Sequence, residues 1–261
     1  MKGLPRFSYK EKPAAYRFFN ENGCVIFDDA LDLRLIDAVK RELQAVIQQQ
    51  VRKHLDSAAE FLPGNGFDRG LLELAHRNDL LRRRLYDVIQ GITALYQFSF
   101  TSPFLDIARD LGVEIPILKI TQIRMDLPED GRFLIPPHQE IKAIRSPNLI
   151  FMITPLVDIS DQKGALRVAP GSHKLGPIVP SIEENVDYQF IPEELYRETY
   201  PLQAVPMVVG EMLVLNMYTI HGSSPNVTRE TRWQSVIRFE DAAQMPYLHG
   251  DDSFQKYNLK G

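Results

Sequence analysis

The sequence predicts an α+β fold in which a helical part is followed by a jelly roll of antiparallel strands. As far as Gly112, apolar residues recur mostly at helical spacing; beyond it, short apolar runs alternate with Gly, Pro, Asp and Asn turns. The composition is ordinary for a globular protein, with 44% hydrophobic and 25% charged residues in 261. We therefore predict one domain, 1–261, with a helix-rich part at 1–112 and a double-stranded β-helix core at 113–245.

The helix-rich part is expected to pack on one sheet of that core. Its best element is 33–50, where apolar residues return every three or four positions and Asp32 precedes the first turn as a cap. Asn22-Gly23 ends an earlier helix. The predicted helices are 13–22, 33–50, a helical segment over roughly 71–98, and a short one from Ser102 to Gly112, and 24–27 is predicted to be a strand.

The sequence pattern of the remaining chain is typical of strands with one long connection. The connection, 173–206, contains five prolines and is predicted to be a lid over the site, with a helical turn at 192–199. The turn-rich segment 61–70 is a second lid candidate. The predicted strands are 115–126, 132–137, 147–158, 164–169, 211–216 and 231–240.

Composition also argues against several classes of protein. The net charge of −4 gives no basic surface for nucleic acid. A single cysteine, Cys24, allows no internal disulfide and suits a reducing compartment. Residues 1–11 lack the apolar stretch of a signal peptide, and no apolar run is long enough to span a membrane. We expect a cytoplasmic protein whose partner is a small molecule, and the sequence leaves its oligomeric state open.

Three histidines are followed, two residues later, by a carboxylate. About one such pair is expected by chance from six histidines and 34 acidic residues. His54 and Asp56 lie at the end of a helical pattern, where positions i and i+2 do not face each other. His249 and Asp251 lie in a polar loop near the terminus. His138 and Glu140 are the pair in extended sequence, so they are the candidate metal ligands.

A third ligand is available in His221, which follows an apolar strand farther along the chain. In extended backbone, His138 and Glu140 would project to one side. Two histidines and one carboxylate bind one face of Fe(II) and leave the other positions open for chemistry. On spacing alone, a histidine with a chance acidic neighbour remains an equal alternative.

Four short segments, in this order and spacing, resemble the phytanoyl-CoA dioxygenase family of Fe(II)/2-oxoglutarate-dependent oxygenases. The resemblance covers most of the chain. The segments are Phe19-x-x-x-Gly23-x-Val25, the His138 pair, Gly164 to Pro170-Gly171-Ser172-His173, and His221 followed eleven residues later by Arg232.

The resemblance implies a role for each matching residue. His138, Glu140 and His221 correspond to the metal ligands, and Arg232 to the arginine that holds the distal carboxylate of 2-oxoglutarate. A guanidinium suits that carboxylate because it donates two parallel hydrogen bonds. Ser223 and Gln122 correspond to further contacts with this cosubstrate, although simple strand or loop polarity is an equal reading of each. His173 is expected to be structural.

The cofactors implied are Fe(II), 2-oxoglutarate and O2, and the reaction implied is hydroxylation of an unactivated carbon with release of succinate and CO2. Glu140 departs from the family, which usually has aspartate there, and this leaves activity open. It disfavours halogenation, because halogenases of this superfamily have a small residue that makes room for chloride. A cupin-like isomerase or ligand-binding protein, or a relative that binds 2-oxoglutarate without turnover, remains the alternative.

The substrate is the least constrained part. Lys142 and Arg145 follow the metal motif and are candidates for an anionic group, but a solvated loop is the simpler reading of both. Because the sequence shows no basic cluster suited to coenzyme A, a small metabolite or a natural-product intermediate is expected rather than an acyl-CoA.

Overall fold

Helices and strands follow each other largely as the sequence predicts. The computed structural model describes residues 3–55, 64–141, 145–181 and 188–245. The helices are α1 (Lys12–Asn22), α2 (Leu33–His54), α3 (Leu71–Arg77), α4 (Asp79–Ile89), α5 (Thr93–Ser99) and α6 (Ser102–Asp110). The strands are β1 (Arg6–Phe7), β2 (Cys24–Phe27), β3 (Pro116–Asp126), β4 (Leu149–Pro155), β5 (Leu166–Val168), β6 (Gln203–Val205), β7 (Met212–Asn216), β8 (His221–Gly222) and β9 (Arg232–Asp241).

Two sheets face each other, which is the predicted jelly roll. The large sheet has the order β1-β2-β7-β4-β9-β3 and the small one β6-β5-β8. All pairs are antiparallel except β1 with β2. A bridge between His138 and His221 continues the small sheet beyond β8. The helix-rich part also contributes two strands to the large sheet, β1 and β2.

The helices cover one face of the large sheet, as expected. Alternation along β9 sends Trp233, Ile237 and Phe239 into the core shared with the helices, and Val236 into the interior between the sheets. The helix-facing core is built mainly from α2, whose buried side chains are Ile36, Val39, Leu43, Ile47 and Val51.

Helix α2 begins where the sequence predicts. The Asp32 carboxylate accepts a hydrogen bond from the backbone N–H of Arg34, at 2.9 Å, and so satisfies one of the free donors of the first turn. The helix runs one turn farther than predicted, to His54. In the described part of the chain, no helix is both long and apolar enough to cross a membrane.

The prediction of one helical segment over 71–98 was wrong, since three helices occupy it. Asn78 has an extended backbone and caps α4, with its Oδ1 accepting from the N–H of Leu81 at 3.0 Å. A second break lies at Gly91 and Ile92, before α5. Apolar spacing carries across both breaks because each helix buries its own apolar face against the same layer.

The strand predicted at 132–137 was also wrong. Residues Gly131–Phe133 form a short 3-10 helix capped by Asp130, and the next residue in the β pairing is His138. Pro136 and Pro137 have no N–H to donate, so this apolar run cannot form a regular ladder.

The two predicted lids differ in position. In 173–206 the predicted turn appears as the 3-10 helix Glu193–Leu195, and residues 182–187 lie outside the described residues. Of 61–70, residues 61–63 lie outside them too. The rest packs against Trp233, whose indole N–H donates to the Asp68 carboxylate at 2.6 Å. This places 64–70 on the helix-facing side of β9 and gives no support to a lid there.

Candidate functional site

His138, Glu140 and His221 meet at one end of the interior between the two sheets. One ligand atom from each lies within 4.8 Å of the others. The backbones of His138 and His221 exchange two hydrogen bonds, at 2.9 and 3.0 Å, and the N–H of Glu140 donates to the Met217 carbonyl at 2.9 Å. Strand pairing therefore brings the distant histidine beside the motif that the sequence singled out.

Both imidazoles are turned the same way. Nδ1 of His138 lies 2.8 Å from the Pro136 carbonyl, and Nδ1 of His221 lies 2.9 Å from the Thr219 carbonyl. Because a carbonyl only accepts, each Nδ1 carries the proton and each Nε2 keeps its lone pair. The two Nε2 atoms point at Oε1 of Glu140, at 3.5 and 3.4 Å. Three electron-pair donors thus converge on one point, and this arrangement fits a cation.

Charge in the site favours the metal-binding protonation states. Burial alone would raise the pKa of Glu140, but the polar contacts with His138 and His221 and the positive charge of Arg238 hold that pKa well below its ordinary value. Burial, and then the neighbouring His138, lower the pKa of His221 despite the attraction of Glu140. A carboxylate and a neutral imidazole are the forms that bind metal.

Arg238 is a site residue that the sequence reasoning missed. Its Nη2 donates to Oε1 of Glu140 at 2.8 Å, and its guanidinium carbon lies 4.7 Å from the centre of the Phe151 ring. The same ring lies 5.2 Å from the His221 ring. Phe151 therefore supports both a metal-site histidine and the arginine that contacts the carboxylate.

Arg232 lies at the start of β9, where its guanidinium already has protein partners. Nε and Nη2 donate to Oδ2 of Asp126 at 3.1 and 2.8 Å, and Nη1 donates to the Gly164 carbonyl. Asp126 also accepts from Arg124 at 2.8 Å. Burial alone would raise the pKa of Asp126, but the charges of Arg124 and Arg232 lower it. Each of the three guanidinium nitrogens of Arg232 thus donates to a protein group, and Arg232 is not among the residues that line the cavity at the metal-site residues.

The other two predicted cosubstrate contacts lie nearer the three metal-site residues. Ser223 and Gln122 line one cavity together with His138, Glu140 and His221. The Gln122 amide donates to the Tyr86 hydroxyl at 2.8 Å, and the backbone N–H of Ser223 donates to Ile135 at 2.8 Å. Both residues therefore line the same cavity as the metal-site residues, and their contact with the cosubstrate stays a prediction.

Two cavities meet at His138 and Ile135, which line both of them. The polar pocket, of about 80 Å³, holds the metal-site residues with Gln122, Ser223 and two arginines, Arg124 and Arg238. The apolar pocket, of about 100 Å³, lies on the other side. It is lined chiefly by Ile135, Ile141, Ile178, Pro180 and Ile191.

The remaining sequence candidates lie outside this cluster or outside the described residues. His173 contacts the Asn20 carbonyl through Nε2 at 3.1 Å, in keeping with the structural role predicted for it. Arg145 donates its backbone N–H and Nε to the buried Glu240 carboxylate, at 2.8 and 2.7 Å. His54 ends α2. Lys142, Asp56, His249 and Asp251 lie outside the described residues.

A signal for Arg238 was present in the sequence. Positions 232, 234, 236 and 238 share one face of a strand, so an inward Arg232 implies an inward Arg238. Phe151 had no comparable signal, because its place beside Arg238 depends on the pairing of β4 with β9, and its contact with His221 on the packing of the two sheets.

The double-stranded β-helix and its two-histidine, one-carboxylate cluster define the class of non-haem Fe(II) oxygenases. The sequence profile of the family described as phytanoyl-CoA dioxygenase (PhyH) matches residues 19–233. The chain belongs to this family. The family resemblance, the fold, the oxygenase class and the cofactors Fe(II) and 2-oxoglutarate that the sequence predicted are thereby confirmed.

Curated relatives and solved structures are similar to this chain over most of its length. The chain is 28% identical over 233 residues to 1-deoxypentalenic acid 11-beta-hydroxylase of Streptomyces exfoliatus, covering 84% of this chain and 76% of that protein. The namesake hydroxylase of Streptomyces arenae is 26% identical over 229 residues, with the same coverage. The α-ketoglutarate-dependent epimerase SnoN from nogalamycin biosynthesis shares the fold, with a TM-score of 0.59, 18% identity, and coverage of 89% and 85%.

Proposed function

We propose that this protein hydroxylates an aliphatic carbon of a small molecule, with His138, Glu140 and His221 holding the Fe(II). The observation that carries the proposal is the convergence of two imidazole lone pairs and one carboxylate oxygen within 4.8 Å. Fe(II) with 2-oxoglutarate and O2 supplies the oxidation, in which one oxygen atom enters the substrate and the other enters succinate as CO2 leaves. Glu140 occupies the place that a halide would need, so hydroxylation is favoured over halogenation.

The residues of this chain have separate tasks. The Pro136 and Thr219 carbonyls fix the two imidazole rings, so Nε2 faces the metal position in each. Arg232 is assigned to the distal carboxylate of 2-oxoglutarate, with Ser223 and Gln122 as further contacts. Asp126 holds Arg232 in place, which reduces the entropy lost when the carboxylate binds. The burial of His221, 2% exposed, and of Arg232, 1% exposed, keeps bulk water from these contacts.

Four broader assignments belong to the same proposal. The names of the relatives given above refer to small molecules. We assign a small-molecule substrate to this protein as well, and cavities of about 80 and 100 Å³ beside the metal-site residues can receive part of such a molecule. A net charge of −4 speaks against nucleic acid. The buried free thiol of Cys24 is compatible with a cytoplasmic location. Segment 173–206 is retained as the lid, because its Ile178 and Ile191 line the apolar pocket beside His138.

The test is an anaerobic titration of the protein with Fe(II) and 2-oxoglutarate. The wild type should develop the weak visible charge-transfer band of the chelate, and His138→Ala should abolish it. Arg232→Lys should keep the band but raise the 2-oxoglutarate concentration that it requires by about 10- to 100-fold, because the fork is replaced by a point charge. His54→Ala and Arg34→Ala, which alter residues on α2, serve as controls and should match the wild type.

Admission of O2 then separates turnover from binding. Succinate formation that depends on Fe(II) supports the oxygenase. A band without any succinate would support the reading in which the protein binds 2-oxoglutarate and does not turn it over. If the wild-type protein gives neither band nor succinate, the proposal is refuted. If Arg232→Lys leaves the 2-oxoglutarate affinity unchanged, only the assignment of Arg232 is refuted.

A further inference from the structure

The apolar pocket differs from the polar pocket in the charge of its lining, since the polar pocket contains Glu140, Arg124 and Arg238. Five aliphatic side chains line it: Ile135, Ile141, Ile178, Pro180 and Ile191. Among the described residues, no Lys, Arg, Asp or Glu takes part in this lining. A charged group placed there would lose its hydration without gaining a partner of opposite charge.

The polar residues of this lining are His138, Gln139, Tyr188 and Gln189, and the Gln139 amide is engaged with the protein. Its amide N–H groups donate to the Gly176 and Tyr218 carbonyls, each at 2.8 Å. Its Oε1 accepts from the N–H of Ile178 at 2.9 Å. Both N–H groups of Gln139 are therefore used within the pocket wall, so this side chain has none to offer a ligand carboxylate.

We propose that the apolar pocket receives an uncharged aliphatic part of the substrate and places it beside the metal. This inference rests on the proposed function. The shared residues His138 and Ile135 put the pocket next to the ligand cluster. A cavity of about 150 Å³ holds benzene, so about 100 Å³ suits a branched or alicyclic unit of a few carbons. The substrate class is therefore a compound with an aliphatic skeleton, and small zwitterions are disfavoured.

A matched pair of probes tests the chemical class. Cyclopentanecarboxylate and proline have nearly the same shape, but proline carries an ammonium in the ring. Each is added at millimolar concentration, the range expected for so small a ligand, to protein already loaded anaerobically with Fe(II) and 2-oxoglutarate. Cyclopentanecarboxylate should perturb the visible band saturably and stimulate succinate formation in air, and proline should do neither. Equal responses, a response to proline alone, or no response to either overturns the proposal.

Two neighbouring residues supply the control for position. Ile178→Asp should reduce the response to cyclopentanecarboxylate at least about tenfold, because it places a carboxylate in the aliphatic lining. Val179→Asp adds the same charge one residue away, at a side chain that is 88% exposed, and should behave as the wild type. Equal effects of the two variants count against the pocket. Failure of the initial band in wild-type protein refutes the proposed function itself, so the two failures are distinguishable.

A second inference concerns Arg238 and depends on different observations. Glutamate is one methylene longer than the usual aspartate, so its carboxylate has an extra torsion to restrain. Arg238 contacts Oε1 of Glu140 at 2.8 Å, and its own guanidinium lies against Phe151 at 4.7 Å. The arginine is thus held by packing in the position from which it restrains the glutamate.

The geometry points to Arg238 as a positioning residue that makes the longer Glu140 an effective metal ligand. In this role it touches neither the metal nor the substrate, and its effect passes through the carboxylate. Outer partners of metal ligands typically change metal affinity by about 10- to 100-fold when they are removed. The contribution of Arg238 should depend on the identity of residue 140, because an aspartate carboxylate would lie a methylene farther from the guanidinium.

Co(II) affinity, measured from its visible spectrum without 2-oxoglutarate or O2, provides the test. Arg238→Met should weaken Co(II) binding by about 10-fold or more, and Arg238→Lys should recover part of the loss. In Glu140→Asp protein, Arg238→Met should have a smaller effect. Arg34→Met, the same substitution at a side chain of α2 that is 90% exposed, is the control and should bind Co(II) as the wild type does. Affinity of Arg238→Met within twofold of wild type, or equal losses in both backgrounds, overturns the inference; urea unfolding of Arg238→Lys checks that the fold is intact.

Discussion

The two faces of β9 are almost equally buried but have opposite chemistry. Toward the helices, Trp233, Ile237 and Phe239 belong to a continuous hydrophobic core. Toward the interior, Gln234 and Arg238 line the cavity at the metal-site residues, and Arg232 donates to Asp126 and to the Gly164 carbonyl. Burial alone therefore does not distinguish a residue that holds the fold from one that carries chemistry. The distinction depends on whether the buried group still has donors or electron pairs to offer a ligand.

The largest expected effect comes from the helix-facing side. Trp233→Ala should lower the free energy of unfolding by about 3–5 kcal/mol, because it leaves a large cavity and removes the partner of Asp68. Urea unfolding measures this loss. Below the unfolding transition, the visible band with Fe(II) and 2-oxoglutarate should keep its wild-type affinity.

Trp233→Phe is the matched variant for this prediction. In the wild type the Trp233 and Phe67 ring centroids lie 5.6 Å apart. Trp233→Phe keeps an aromatic ring in this contact and loses the hydrogen bond to Asp68, so it should lower the free energy of unfolding clearly less than Trp233→Ala. If folded Trp233→Phe binds 2-oxoglutarate more weakly than the wild type, the two faces of β9 are energetically coupled, and their separation into a structural face and a functional face is wrong.

An intermediate effect is expected at Asp126, which faces the interior side of β9. Asp126→Asn removes the charge between Arg124 and Arg232 and should cost about 3 kcal/mol, since one partner of a buried ion cluster is lost. Unlike Trp233→Phe, it should also weaken 2-oxoglutarate binding, because Arg232 is no longer held. Asp130→Asn, whose partner Arg132 is half exposed, should cost less than about 1 kcal/mol.

The same substitution has a signature in pH. Because the folded pKa of Asp126 is lowered, its contribution is fully present above the unfolded value, about 3.9, and is lost as pH falls through the folded value. The stability of Asp126→Asn should therefore fall less steeply than that of wild type as the pH drops below about 4. Parallel pH profiles of the two proteins would contradict this.

The smallest effect concerns polar groups on the helix-facing side. The hydroxyls of Thr154 and Ser235 pair at 2.5 Å, and both residues are fully buried. Ser235→Ala should cost about 1–2 kcal/mol because Thr154 loses its partner, whereas Ser235→Ala with Thr154→Val should be nearly neutral. Thermal unfolding of the four proteins of this cycle measures the coupling, and additive losses would refute it.

Local signals predicted much of this molecule, and the misses have physical reasons. The helix α2, its Asp32 cap and the His138–Glu140 pair depend on residues close together in sequence. The break at Asn78 also had a local signal, a capping residue, which the continuous apolar spacing masked. The strand expected at 132–137 failed because apolar character was weighed above the missing N–H groups of two prolines.

The surroundings of the candidate site were harder to predict because they depend on distant pairing. Asp126 meets Arg232 across a separation of 106 residues, through the register of β3 with β9. Phe151 reaches Arg238 by the register of β4 with β9, and it reaches His221 across the space between the two sheets. No local pattern in the sequence encodes these contacts.

Gly23 shows how closely the first helix is tied to the site. It ends α1 with a φ of +68°, and a Cβ there would lie 2.3 Å from Oγ1 of Thr219 and 2.5 Å from Nδ1 of His173. Its carbonyl accepts from the Thr219 hydroxyl at 2.7 Å, and the Thr219 carbonyl in turn orients His221. Any side chain at position 23 would therefore collide with Thr219 and His173. In a set of random mutants, changes at this position should be lost by selection for activity as surely as changes at the metal-site histidines.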